Sequence, residues 1–310
     1  MNVLLVRAGA LGDVVLLRTA VAALRAAGHA VSLLAPSGPG AALEGGGPGE
    51  VDSVLPWESA TFAGLLASEA GVSSDLRRVL APFQAVIAYS VNGDLLRGLA
   101  QAAPPGAQVV SHPPLPPAGG PHAAAWMAAA GIALGADPER VPPVSTASAA
   151  DDAQARPWLE RLGARFLAIH PGSGSARKNW PAVRFAALAE RLTEGVPFLL
   201  VEGPADAEAT EPASRLPSVV HARELPPRLL GAVLAHAGLY VGNDSGVSHL
   251  AAAWGAPVLA LFGPTDPAQW APVGPRVTVR RAKDERMESL ELEEVGSAAQ
   301  QITSPRPPSG

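Results

Sequence analysis

Asn243, Asp244, Ser245, Ser248 and His249 stand close together in an otherwise apolar stretch, VGNDSGVSHLAAAWGAPVLALFGPT (241–265). The stretch reads as a strand end, a tight turn, a short helix over VSHLAAAW, a second strand PVLALF and a further loop. Asp244 or Asn243 is placed to cap the helix, with Ser245 and Gly246 in its first turn. Free N–H groups and the positive end of the helix dipole at such a start suit a diphosphate. A plain capped helix in an α/β domain needs the same residues. Position favours the ligand: polar groups at a strand end, with Gly263-Pro264-Thr265-Asp266 after the adjacent strand on the same edge, lie where open α/β sheets bind small molecules.

Three other loops carry residue types of the same kind. HPGSGSARKNWP (170–181) follows a strand and precedes a helix with Pro181 in its first turn. Ser173 and Gly174 offer a hydroxyl and exposed N–H groups, and Arg177 and Lys178 offer cations, so the loop can grip phosphate. It is not a Walker loop, and its rigid Trp-Pro ending speaks against a merely solvated segment. VEGPADAE (201–208) places Glu202 and Glu208 near a strand end, either to accept hydrogen bonds from ribose hydroxyls or to complement a helix dipole. The two readings are even. RAGALGD (7–13) brings Gly9 and Gly12 beside Asp13; glycines let a substrate approach the backbone, while a helix N-cap accounts equally well for the aspartate.

Strands and helices alternate along the chain and must position these loops. Strands are expected at 2–7, 31–36, 51–56, 84–89 and 107–112, then at 166–170, 197–202, 219–222, 239–242, 257–262 and 276–281. Helices are expected from Asp13 to Gly28, near 59–70, 74–81, 93–102, 122–135, 151–162, 181–193, 205–215, 226–236 and 246–254. This spacing indicates parallel sheets covered on both faces. The stretch DPERVPPVSTASAA (137–150) has no periodicity and reads as a linker, giving domains 1–150 and 151–310 with a cleft between them. PPLPPAGGP (113–121) reads as an irregular loop, and the tail 300–310 as disordered.

Composition excludes several classes. The 310 residues are 48% hydrophobic and 16% charged, as in a globular protein. A net charge of −5 gives no general attraction to nucleic acid or anionic lipid. With no cysteine there is no disulfide, thiolate or Cys-ligated metal, and the seven histidines show no metal-binding spacing. The start resembles a signal peptide only superficially, and no run reaches the roughly 18 apolar residues of a membrane span. A cytoplasmic location is expected, with at most peripheral contact at the inner face of the inner membrane. The first turn has G-x-x-G in place of G-x-G-x-x-G, and no acid ends the second strand, which argues against NAD. No cofactor and no metal are expected. Lysine survives only at Lys178 and Lys283 in an arginine-dominated chain, and one of the two lies in the polar loop.

RAGALGDVVLLRTAVAAL, HPGSGSARKNWP and VGNDSGVSHLAAAWGAPVLALFGPTDPAQWAPVG together resemble the bacterial ADP-heptose:lipopolysaccharide heptosyltransferase family, glycosyltransferase family 9. The resemblance runs through nearly the whole chain in order. It is most specific over 241–274 and only architectural between about 37 and 140. It implies the GT-B fold, two Rossmann-like α/β domains with parallel sheets facing across a cleft, the acceptor on the first and the nucleotide sugar mainly on the second. The family's general base falls on Asp13, after Gly12, and its phosphate-contacting lysine on Lys178. Its Asp-Thr-Gly diphosphate turn falls on Asp244, Ser245 and Gly246, and its following histidine on His249. The acidic ribose contact falls within Glu202 to Glu208.

The implied reaction is inverting, metal-independent transfer of a sugar, heptose for this family, from an ADP-sugar to a lipopolysaccharide-core or other saccharide, free or lipid-linked. Asp13 would deprotonate the acceptor hydroxyl, and Lys178 with the helix start would stabilise the leaving diphosphate. The first domain departs from the pattern in offering few basic residues to an anionic acceptor: Arg7, Arg18, Arg25, Arg77, Arg78 and Arg97. A non-catalytic nucleotide-sugar-binding protein on the same fold is the rival reading, against which the intact Asp13, Lys178 and Asp244-Ser245-Gly246 speak.

Overall fold

In this computed structural model the structure describes residues 1–63, 65 and 72–303. The chain divides into two compact units, Met1–Ser145 and the residues from Thr146 onward. Residues 141–148 at this division form no regular element, and Ser148 caps the helix Ala149–Leu162 that follows.

In the first unit the strands are β1 (Asn2–Val6), β2 (Ala30–Ala35), β3 (Ser53–Pro56), β4 (Ala85–Tyr89) and β5 (Gln108–His112). They pair in parallel in the order β3-β2-β1-β4-β5. β4 is buried along its whole length because helices cover both faces, which is why it reads as an unbroken apolar run. One face packs Leu4, Val6, Leu34, Val86 and Ala88 against Leu76, Leu80, Leu95 and Leu99.

In the second unit the strands are β6 (Leu167–His170), β7 (Phe198–Glu202), β8 (Val219–Arg223), β9 (Leu239–Asn243), β10 (Val258–Phe262) and β11 (Val277–Arg281). Their order is β11-β10-β9-β6-β7-β8, again all parallel. Counted within the unit this is the Rossmann order 3-2-1-4-5-6. Trp180, Phe185 and Phe198 are fully buried in its core, where each large apolar side chain contributes about 1.5–3 kcal/mol.

In both sheets the winding reverses beside the first strand, between β1 and β4 and between β6 and β9. Ligands bind outside the strand ends at such points. The loop with Asp13 leaves β1, the loop with Lys178 leaves β6, and the turn with Asp244 leaves β9.

Several expectations need correction. The single helix expected from Asp13 to Gly28 is two, Leu11–Leu16 and Arg18–Ala26, with Leu17 N–H bonded to Val14 O at 3.0 Å. Burial of Val14 through Leu24 hides this break from any hydrophobic pattern. The expected helix at 122–135 is Ala123–Ala129 followed by a separate 3₁₀ turn, Ile132–Leu134. A short helix, Ser37–Ala41, forms in the glycine-rich stretch after β2. Residues 300–303 are not disordered but end the helix Leu292–Thr303, which buries Val295, Ala298 and Ala299; residues 304–310 lie outside the described residues. Of the helix expected at 59–70, Ala60–Ala63 is present, and most of the remainder lies outside the described residues.

Candidate active site

At the end of β9, Ser245, not Asp244 or Asn243, caps the helix Gly246–Ala253, its Oγ accepting from Ser248 N–H. The other two side chains are committed elsewhere. Asn243 is fully buried and ties two loops together: Trp180 N–H donates to its Oδ1 at 3.0 Å, and its Nδ2 donates to Pro171 O at 2.7 Å. Asp244 Oδ2 accepts from Lys178 Nζ at 2.7 Å and from Thr265 Oγ1 at 2.7 Å. Loops leaving β6, β9 and β10 thus meet at one carboxylate. Gly246 and Val247 follow in the helix's first turn, where backbone N–H groups have no intrahelical acceptor. His249 is buried in the same helix.

The loop carrying Lys178 is anchored at its far end. Trp180 is 1% exposed, its Nε1 donates to Leu290 O at 2.8 Å, and its ring meets Phe185 edge-on. Lys178 closes a short 3₁₀ turn, Ala176–Lys178, and keeps 30% of its side chain in solvent, so its ammonium is paired yet reachable.

Ser173, Gly174, Asn179, Pro181, Ala205 and Glu208 line a groove of about 430 Å³. Ser173 Oγ donates to Asn179 Oδ1 at 2.6 Å. Glu208, in the first turn of the helix Ala207–Ser214, is exposed on this groove. Glu202 is placed differently. Its carboxylate accepts from His221 Nδ1 at 2.7 Å and Arg223 Nε at 3.1 Å, and it lines a second groove with Arg223 and Glu224. Of the two acids, only Glu208 shares a groove with Ser173 and Gly174.

His170, and Asp206 from the acidic 202–208 stretch, join this cluster, and burial of Asp206 against His170 takes it out of reach of a ribose. His170, at the end of β6, meets Ser245 Oγ through Nδ1 at 3.1 Å and Asp206 Oδ2 through Nε2 at 3.0 Å. Asp206 also accepts from Gly203 N–H at 2.7 Å. Burial works against its charge, but the hydrogen bond and charge of His170 and the Gly203 N–H outweigh it, and the carboxyl is held below the ordinary aspartate range. The partners lie 75 and 36 residues from His170, so no local pattern reports them.

In the first unit the helix after β1 begins at Leu11 with Ala10 as its cap residue, which puts Asp13 at the third helical position and not at the cap. Asp13 Oδ1 accepts from Arg7 Nη2 at 2.6 Å, and Oδ2 accepts from Ala10 N–H at 3.2 Å. Arg7 is buried, whereas Asp13 keeps 30% of its side chain exposed. Gly9 is required by close approach: a Cβ there would lie 2.7 Å from Asp13 Cβ. Gly12 takes the second helical position. Among the described residues no three His, Asp or Glu side chains converge as metal ligands.

Two Rossmann-like α/β units with parallel sheets, each with polar groups at its switch point, define a protein of the GT-B glycosyltransferase architecture. Residues 85–298 match the model of glycosyltransferase family 9 (heptosyltransferase), and the chain belongs to that family. It is 39% identical over 110 residues to lipopolysaccharide heptosyltransferase 1 of Pseudomonas aeruginosa, covering 34% of this chain and 30% of that one. It is 32% identical over 123 residues to lipopolysaccharide heptosyltransferase 3 of Escherichia coli, covering 36% and 35%. The matched stretches span about a third of these relatives' lengths. Among solved structures, the family 9 glycosyltransferase of Veillonella parvula superposes with a TM-score of 0.79 at 19% identity over 97% of both chains. E. coli heptosyltransferase WaaC with ADP gives 0.70 at 21% identity over 97% of this chain and 100% of that one. At such identities the likeness is one of fold.

Proposed function

We propose that this chain is an inverting, metal-independent glycosyltransferase that moves a sugar, a heptose, from an ADP-sugar to a lipopolysaccharide-core or related saccharide, working in the cytoplasm at the inner membrane face. The observation that carries the reading is the lysine held at the turn after β9: Lys178 Nζ lies 2.7 Å from Asp244, beside the start of the helix Gly246–Ala253. A cation next to free N–H groups at a switch point is suited to a diphosphate. That WaaC was solved with ADP and with ADP-2-deoxy-2-fluoro heptose supports an ADP-sugar as donor. Among the described residues no helix is long and apolar enough to cross a membrane.

The proposed step balances without a metal. Asp13 takes the proton of the acceptor hydroxyl as that oxygen attacks the anomeric carbon. The bond from that carbon to the diphosphate oxygen breaks on the opposite face, so configuration inverts. The charge gathered on the leaving ADP is met by Lys178 and the N–H groups at Ser245 and Gly246, which are already in place when it develops. Ser173, Gly174 and Glu208 hold the nucleoside side of the donor through their common groove, with Glu208 accepting from ribose hydroxyls, and His249 backs the turn from inside the helix. Glu202, bound to His221 and Arg223, is the weaker candidate for ribose.

The arginines of the first unit bear on the acceptor. Arg7 is spent on Asp13, Arg25 on Asp52, Arg78 on Asp75 and Arg97 on Asp94. Arg77 donates to Gln101 O. Arg18 is buried, its pKa lowered to about 10 by desolvation against the charge of Glu50. Among the described residues, Arg140 and the exposed Arg77, Arg78 and Arg97 are the arginines this unit presents at its surface, few for a heavily phosphorylated acceptor, so one held in good part through neutral hydroxyls fits the unit. A thermal-shift panel of nucleotides and nucleotide sugars tests the donor: ADP and ADP-sugars should raise the melting temperature above the other nucleotides, by about 2.7 kcal/mol of stability at a hundredfold excess over Kd. No shift with any adenine nucleotide would contradict the reading. Donor binding without turnover against any saccharide would favour the non-catalytic alternative.

A further inference from the structure

The donor site proposed above leaves His170 and Asp206 without a task, yet they are among the most buried ionisable side chains of the second unit, at 4% and 6% exposure. They join the ends of three adjacent strands. His170 closes β6, Asp206 follows β7 by four residues, and Ser245 follows β9 by two. Asp206 accepts hydrogen bonds only, so the imidazole proton on Nε2 points to it, and Nδ1 is fixed toward Ser245 Oγ. Ser245 Oγ in turn caps the helix Gly246–Ala253. A carboxylate, an imidazole and a hydroxyl therefore run in one buried chain from the β7 loop to the helix start.

The β6 loop closes over this chain. A Cβ on Gly172 would sit 1.9 Å from Asp206 Oδ1, so the backbone of the His170–Ser173 turn rests directly on the carboxylate. Asp206 Oδ2 is also held by Gly203 N–H, leaving the carboxylate little freedom to reorient. A buried polar network of this kind is rigid when each member is satisfied. Catalysis that relies on donors placed in advance needs such rigidity, because displacement of a helix start by a fraction of an ångström weakens its grip on a developing charge.

We propose that Asp206 and His170 are positioning residues for the donor site: the Asp206–His170–Ser245 chain fixes Ser245 and the helix start against the diphosphate. The proposal rests on the donor site lying at the turn after β9. Neither residue touches the donor; each acts through Ser245.

A double-mutant cycle tests this, with ADP Kd measured by calorimetric titration and donor KM and kcat measured beside it. Ser245→Ala and Asp206→Ala should each raise ADP Kd and donor KM about tenfold, the upper range for one lost hydrogen bond. In the Ser245→Ala background, Asp206→Ala should add less than about twofold, because the effect travels through the missing hydroxyl. His170→Gln, whose amide can still meet Asp206 but not Ser245, should show the same coupling with more of the fold's stability retained, and it serves if Asp206→Ala does not fold. A purely structural role would move the melting temperature but leave the losses multiplicative. Equal fold-losses in both backgrounds, or unchanged ADP affinity in Asp206→Ala and His170→Gln, would overturn the positioning chain while leaving the donor site standing. Unchanged ADP affinity in Ser245→Ala would likewise overturn the chain, which acts through that hydroxyl, whereas wild-type affinity in Lys178→Ala would instead overturn the diphosphate turn itself, whose grip is the lysine and backbone N–H groups.

Discussion

Lys178 Nζ and Asp244 Oδ2 lie 2.7 Å apart, so the cation proposed for the diphosphate already has a carboxylate partner that itself is held by Thr265. The pair aims a flexible side chain at the turn and lowers the freedom it would lose on binding. Asp244 has 9% of its side chain exposed and is the anchored partner, while Lys178 is the one able to extend to a ligand.

Lys178→Ala should therefore weaken the donor and slow transfer together. Loss of a charge-assisted contact costs about 1.5–3 kcal/mol, roughly tenfold to more than a hundredfold in ADP Kd. Calorimetric titration of ADP checks this; wild-type affinity in the variant places the lysine outside the site.

Acid should destabilise the second unit through two carboxylates. Both Asp206 and Asp151 have folded-state pKa values below the ordinary one. For Asp151, burial is opposed and outweighed by the Arg228 and Ser148 hydrogen bonds. A depressed folded value means that the stabilisation is complete above the unfolded pKa, near 3.9, and is lost as pH falls through the folded value. Urea midpoints should hardly change on these groups' account between pH 7 and about 5, then fall below about 4. Asp206→Asn should flatten the acid limb; an unchanged limb would show that Asp206 does not contribute to it.

Asp151 fixes the first helix of the second unit. Arg228 donates to it through Nε at 3.0 Å and Nη2 at 2.8 Å, and Ser148 donates through backbone N–H at 2.8 Å and Oγ at 2.7 Å. The Arg228 guanidinium also lies 5.5 Å from the centre of the Trp254 ring. Asp151→Ala removes the fork and the carboxylate half of the capping box, while Ser148 can still accept from the residue 151 N–H, and should cost about 2–3 kcal/mol. Arg228→Lys, which keeps the charge but not the fork, should cost less. Chemical denaturation of both variants orders them, and the reverse order contradicts this account.

Donor turnover should survive chelation. In the proposed mechanism the leaving diphosphate has Lys178 and the start of the helix Gly246–Ala253 to meet its charge. Transfer assayed with excess EDTA should match the untreated rate, and activity abolished by EDTA and restored by Mg²⁺ or Mn²⁺ would defeat this mechanism.

The strands were legible because buried parallel strands read as short apolar runs: VIAY of β4 and VLALF of β10 leave no alternative of that length. The helix Leu292–Thr303 also has a sequence signature, Leu292, Val295, Ala299 and Ile302 at helical spacing, which the polar, proline-rich tail directly after it masks. The cap at Ser245 was hidden for another reason. Asp244 and Asn243 are as good capping residues by type, and only the distant partners Lys178, Thr265, Trp180 and Pro171 take them away. The same holds for His170 with Asp206, whose hydrogen bond is made by sheet order and not by local sequence. By sequence Arg7 is one of the first domain's few basic residues, and only the turn after β1 shows its partner, Asp13.

Asp13 is the most direct test of the whole account, since it alone separates chemistry from donor binding. Asp13→Asn keeps the side chain's size and an acceptor for Ala10 N–H but removes the proposed base. The measurement is the transfer rate at saturating ADP-heptose and acceptor, in enzyme whose melting temperature and ADP Kd are those of the wild type. The rate should fall by about 10²–10⁴-fold. Transfer within a few-fold of wild type would contradict Asp13 as the base and leave it only its ion pair with Arg7.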